Sequence, residues 1–200
     1  MYDKEKILPY FPLGVFLLPG EDIPLRIFEP RYIQLIEESR EEGFTFAMPF
    51  VIEDQIQDYG CEVKLQQVVA ENPSGRMVVT IEGVSLVHIE SFSEHMLGKL
   101  YSGGKVNILP DPDIVTDKDL VDLVRRYREH FDDNFINDSE LHTLGLFEVA
   151  RALNLSSEEK YKFITMNDIT QKEKFLIEQI KYLMLIRQQE QMLGNEFGLN

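Results

Sequence analysis

Few side chains in this chain are spaced to do chemistry. The four histidines, His88, His95, His130 and His142, form no H-x-x-x-H pair, and Cys61 has no second cysteine with which to share an ion. Neither a metal nor a cofactor is expected from such a set. A serine nucleophile needs a sharp elbow and an adjacent base, but Gly83-Val84-Ser85-Leu86-Val87 lacks the second glycine of an elbow and reads as the middle of a strand. A phosphate loop needs G-x-x-x-x-G-K-[ST]. The nearest string, Gly98 to Val106, carries an extra glycine, puts Val106 where the hydroxyl should stand, and reads as strand instead of leading into a helix. Cys61 alternates with apolar neighbours as a small core residue does. No catalytic residue is assigned.

The side chains left to consider are suited to binding. Arg26, Phe28, Glu29, Arg31 and Tyr32 crowd into seven positions. Glu29 either caps the following helix or pairs with an arginine and ties that helix to the strands; alternatively, these charges line a groove beside Phe28 and Tyr32 where a peptide docks. Phe44, Phe46, Met48 and Phe50 share one face of a strand by alternation. That face is core unless part of it is left exposed, in which case Phe50 joins a hydrophobic binding patch. The candidate binding residues are therefore Arg26, Phe28, Glu29, Arg31, Tyr32 and Phe50.

The elements that must position them follow from punctuation. All nine prolines lie at or before Pro112, and nine of twelve glycines lie before position 105. Proline and glycine break regular structure, so their loss marks a change from strands to helices. The boundary is placed there: a β-rich domain over 1–112 and a helical bundle over 113–200. In the first part, Phe11–Leu18 and Ile23–Phe28 read as two strands around the turn Pro19-Gly20-Glu21-Asp22. Thr45–Ile52, 61–66, Arg76–Glu82, Val84–Phe92 and Lys99–Leu109 read as further strands, with Gly83 breaking one run and Asn72-Pro73-Ser74-Gly75 forming a turn. One helix interrupts them over Pro30–Glu42, with proline at its first position, Tyr32, Leu35, Ile36 and Ser39 as its buried stripe and Gly43 as its stop. Five or six strands without βαβ repetition suggest an antiparallel or mixed barrel.

The second part predicts four helices. The first runs from a cap at Thr116 or Asp117 to about Asn134, and the second from Ser139 over Glu140–Ala152. The third opens with the capping-box string Ser156-Ser157-Glu158-Glu159, and the last runs from Asp168 or Thr170 to Leu193 with Gly194 as its stop. Tyr182 to Ile186 is apolar all round, which predicts burial on several sides in a bundle or at the contact of a homodimer through the last helix.

Composition narrows the partners. The chain has 200 residues, 35 acids against 20 bases and a formal net charge of −15. The acids dominate both parts, with nine bases against eighteen acids in 1–112. That mean field repels nucleic acid and anionic lipid and favours basic or neutral partners. There is no run of 18 apolar residues to span a membrane, and the N-terminal residues do not read as a signal peptide. A single cysteine fits a reducing cytoplasm.

Leu8-Pro9, Pro12-Leu13, Leu18-Pro19-Gly20, Pro24-Leu25, Ile27-Phe28-Glu29 and Arg31-Tyr32 stand in the order and register that open the Lon substrate-binding domain, the N-terminal module of ATP-dependent (La) proteases. Gly60, the 72–75 turn and Ile81-Glu82-Gly83 resemble that family's later strands, although Ser85-Leu86-Val87 replaces its usual Arg-aromatic pair. The resemblance covers about residues 8–110 and implies an α+β fold: a small PUA-like β pseudo-barrel with one helix, followed by a C-terminal α-helical bundle. It implies recognition of a polypeptide or protein partner through apolar contacts in a groove, aided by edge-strand pairing, without the ATPase and Ser–Lys protease domains of the full-length enzyme. A hydrolase with an unrecognised site and an RNA-binding PUA-like barrel are the other readings.

Overall fold

A computed structural model describes residues 4–110, 114–131, 135–136 and 143–197. The chain divides into two compact units, Met1–Asp111 and Pro112–Asn200. Among the described residues there are six strands and five helices in the order β1 (Lys4–Pro9), β2 (Asp22–Ile27), α1 (Pro30–Glu42), β3 (Phe46–Ile52), β4 (Gln55–Glu71), β5 (Met77–Ile89), β6 (Gly103–Ile108), α2 (Lys118–Phe131), α3 (Leu146–Ala152), α4 (Ser157–Thr165) and α5 (Ile169–Phe197).

The first unit is a single antiparallel sheet ordered β1-β6-β5-β4-β3, with β2 joined to the first half of β5. β4 is 17 residues long, and its ladder with β5 shifts register three times. Each bulge bends and further twists the strand, so β4 curls as it runs between β3 and β5. Closure comes from the chain after β1. Phe11 N–H donates to Ala47 O, Leu13 N–H to Pro49 O and Val51 N–H to Leu13 O, joining 10–13 to β3 in parallel. The result is the expected pseudo-barrel, with a core built on Phe11, Leu17, Ile27, Phe46, Met48, Val63, Val79 and Ile81.

Two expectations fail here for local reasons. Phe11–Leu18 is not a strand; the first strand is Lys4–Pro9, and the apolar run is an irregular segment whose Phe11, Phe16, Leu17 and Leu18 are buried as core. Gly83 does not end a strand. β5 runs through it as one element, with a register shift between Glu62 and Val63 of β4 opposite. The glycine is needed because the 18–21 turn lies on it: Gly20 N–H donates to Gly83 O at 2.8 Å and Gly83 N–H to Glu21 O at 2.9 Å.

α1 spans the predicted residues, buries Tyr32, Leu35, Ile36 and Ser39, and ends where Gly43 turns left-handed (φ 72°) to donate its N–H to Ser39 O. Glu29 occupies the N-cap position but makes no cap hydrogen bond. Instead it receives Arg31 Nε at 3.0 Å and another guanidinium nitrogen of Arg31 at 2.8 Å. It therefore pairs with an arginine within the helix start and does not tie helix to barrel.

In the second unit Leu120, Val124 and Tyr127 of α2 are buried, as are Phe175, Leu176 and Ile180 of α5, and these two helices pack together. Asp117 caps α2 with Oδ1, and the buried carboxylate of Glu173 accepts from the backbone N–H groups of Thr116 and Asp117 at 2.6 and 2.8 Å. Ser156 and Glu159 form the predicted capping box at the head of α4. α3 is shorter than expected and starts after Gly145; Ser139 to His142 lie outside the described residues. α5 continues through Gly194 to Phe197. A glycine inside a helix costs only about 1 kcal/mol relative to alanine, so it cannot stop a long one by itself. Tyr182 to Ile186 is not buried on several sides: Tyr182 and Leu185 are exposed. No helix is long and apolar enough to cross a membrane among the described residues.

Candidate functional site

β5 between Met77 and Glu82 is flanked on both sides, by β2 and by β4. Alternation sends Met77, Val79 and Ile81 into the core and Val78 and Thr80 outward. The outward row at Val78 pairs with Arg26 on one side and Ala70 on the other. Just beyond it, Phe28 leaves β2 and Arg76 leaves the 72–75 turn. Together they bound a cavity of about 390 Å³ with an apolar lining of Ile27, Ala70, Met77 and Val78. Phe28 is 63% exposed over it and Val69, at 57%, stands on the neighbouring strand. Exposed aromatic and aliphatic surface beside a concave, apolar floor is a shape that can take an apolar ligand.

The rim is held rigidly. Asn72 Oδ1 accepts from Ser74 N–H, Ser74 Oγ and Arg76 N–H, which fixes the turn that presents Arg76. Glu71, the one carboxylate on the rim among the described residues, is engaged by Arg40 at 3.0 Å. The guanidinium groups of Arg26 and Arg76 have no carboxylate partner among the described residues.

Of the six residues expected to bind, Arg26 and Phe28 meet at this groove. Glu29 and Arg31 form their own pair at the start of α1, with Arg31 4.5 Å above the Tyr32 ring. Tyr32 is buried and stacks on Phe11 at 4.1 Å. Phe50, 2% exposed, meets Phe16 edge to face at 5.5 Å and is a core residue, and Phe46 and Met48 of the same strand are buried too. Sequence reasoning missed Arg76, Val78 and Ala70. The signal was the 72–75 turn, since a hairpin there brings Arg76 back beside the end of β4.

A second cavity, about 500 Å³, is lined by Lys6, Thr45, Glu38, Lys99 and Tyr101 among others. Its polar groups satisfy one another. Glu62, buried behind it, accepts from Lys6 Nζ at 2.7 Å, Thr45 Oγ1 at 2.6 Å and Ser85 Oγ at 2.8 Å. Glu38 accepts from Lys99 Nζ at 2.7 Å and from Tyr101 Oη. Burial raises each carboxyl, but these donors outweigh it and hold both below the ordinary carboxylate range. A carboxylate kept charged and fully coordinated braces structure and has no proton to trade. Cys61 is likewise inert, its thiol pushed up to about 12 by burial.

Among solved structures, the chain is similar to a Lon N-terminal domain protein from Xanthomonas campestris, with 21% identity over 90% of this chain and 98% of that one and a TM-score of 0.62. It is also similar to the N-terminal domain of the Mycobacterium avium complex Lon protease, with 15% identity over 88% and 98% and a TM-score of 0.60. At these identities the likeness concerns the fold. No curated protein sequence matches. The family model of the ATP-dependent protease La (LON) substrate-binding domain matches residues 7–182, so barrel and helices alike are covered, and the chain belongs to that family.

Proposed function

We propose that this protein is a non-catalytic module that binds polypeptide, and that the groove under Phe28 is where an apolar segment docks. The observation that carries this is Phe28 itself: a large aromatic side chain, 63% exposed, beside an apolar floor. Membership of a substrate-binding family supports it. β2 has a strand ladder only with β5 among the described residues, so a bound segment can also lie along its outer edge, less one donor at Pro24. The net charge of −15 favours polypeptide over RNA. The free, buried Cys61 goes with a cytoplasmic setting.

The test is binding to an unfolded model polypeptide, with single-stranded RNA and a basic folded protein as controls. Binding to the unfolded chain alone, weakened about tenfold by Phe28→Ala as expected for one buried aromatic anchor, supports the reading. Binding to RNA instead, or an unchanged affinity in the variant, overturns it.

The last helix supports a second contact, between two copies of the chain. Tyr182, Leu185, Met192 and Leu193 of α5 are exposed. We propose that this face is covered by its counterpart in a homodimer, as argued in the Discussion.

A further inference from the structure

Resting on the polypeptide-binding reading of the groove, we infer that the segment it takes is an apolar anchor flanked by acidic residues. The chain as a whole is strongly acidic, and its mean charge points to basic partners. The groove is locally the reverse. Arg26 and Arg76 stand on its rim, on β2 and at the head of β5, with no carboxylate partner among the described residues. Among the described residues the rim's one carboxylate, Glu71, is already engaged by Arg40. Most other bases of this unit are paired: among the described residues Lys6, Arg31, Arg40, Lys64, Lys99 and Lys105 each contact a carboxylate, and Lys4 at the start of β1 does not.

At physiological ionic strength charges are screened beyond about 8 Å, so a docked segment responds to the rim and not to acids on distant faces. Arginine is also the cation best shaped to grip a carboxylate through two parallel hydrogen bonds. A segment whose apolar side chain fills the floor therefore places its neighbouring residues against the guanidinium groups of Arg26 and Arg76. Aspartate or glutamate there would complete the rim, and lysine would be repelled.

The experiment uses the full chain at physiological salt and three labelled peptides sharing a central Leu-Phe-Leu, flanked on both sides by Asp, by Ser or by Lys, read by fluorescence anisotropy. The expected order is Asp over Ser over Lys, with about tenfold between the first two, as a pair of half-exposed ion pairs would give. In the Arg26→Gln/Arg76→Gln double variant the three affinities should converge, and Arg26→Glu/Arg76→Glu should reverse the order. Circular dichroism of each variant confirms that both exposed positions leave the fold intact. Equal binding of all three peptides to the native chain, or a preference for Asp that survives in the double variant, overturns this inference and leaves the polypeptide-binding reading standing. Failure of every peptide to bind overturns both.

Discussion

Glu62 illustrates how a charge can be buried in a small barrel without becoming a functional group. It is 1% exposed. An uncompensated carboxylate there would be expelled or protonated. Three donors from three elements, Lys6 of β1, Thr45 before β3 and Ser85 of β5, convert it into a brace across the sheet. Replacing it with glutamine keeps the shape but loses the charge-assisted bonds, and should cost about 2 kcal/mol at neutral pH. Because the native carboxyl lies below its ordinary range, its stabilisation is complete above about pH 4, the unfolded value, and fades as pH falls through the native one. Urea midpoints of the native protein and Glu62→Gln should therefore differ most at pH 7 and converge in acid; a gap that is independent of pH would contradict this account. None of it was legible in the sequence, where Glu62 is one polar residue in an alternating strand. The alternation gave the inward face of β4, but which outward positions are enclosed depends on β1 and the segment before β3, neither of which is a sequence neighbour. The same limit explains the candidate site. Arg26 and Phe28 were legible as a local cluster, while Arg76 joins them only through a hairpin register.

Elements were read best where a single local rule decides them. α1 has a proline to start it, a stripe to bury and a glycine to end it, and it forms over the predicted residues. The capping box at Ser156 is another case. The failures come where tertiary contact overrides the local rule. Phe11–Leu18 has the apolar content of a strand but takes no place in the sheet ladder, because it must pass from β1 along β3 to the turn that lies on β5. Gly83 was legible as an interruption and is instead the landing point of that turn. A Cβ there would stand 2.5 Å from Leu18 O and 3.2 Å from Cys61 Sγ. The first contact is backbone and cannot swing aside, so Gly83→Ala must displace the turn or bend β5, at about 2–4 kcal/mol. Chemical denaturation would show this as a lower midpoint, together with faster reaction of Cys61 with thiol reagents as its enclosure loosens. An alanine variant with native stability and a protected thiol would mean that the turn is not held as described.

At the scale of the whole molecule the remaining question is what covers α5. Its 29 residues make a rod about 43 Å long. Leu176 and Ile180 on the first half are buried within the helical unit. On the second half Tyr182, Leu185, Gln189 and Met192 follow one another at intervals of three, four and three, with Leu193 beside the last. That is the spacing of a coiled-coil seam, and a single polar residue within such a seam is the usual device for fixing register. All three apolar members and Leu193 are exposed. A seam of exposed apolar residues interrupted by the uncharged Gln189 alone can pack against its own counterpart about a two-fold axis, which is the contact proposed for the homodimer. Equilibrium sedimentation over a dilution series should then give twice the 23.3 kDa chain mass at the concentrated end. Leu185→Lys, which places a charge in the middle of the seam, should give the chain mass throughout with the helical signal unchanged. A native protein that stays at the chain mass at every concentration removes the dimer and leaves the seam open to a different helical partner; a Leu185→Lys variant that still dimerises moves the contact elsewhere. The groove lies on the barrel unit and α5 in the helical one, so the same Leu185→Lys variant should bind peptide with unaltered affinity per chain while losing whatever avidity two linked grooves provide for a long unfolded substrate.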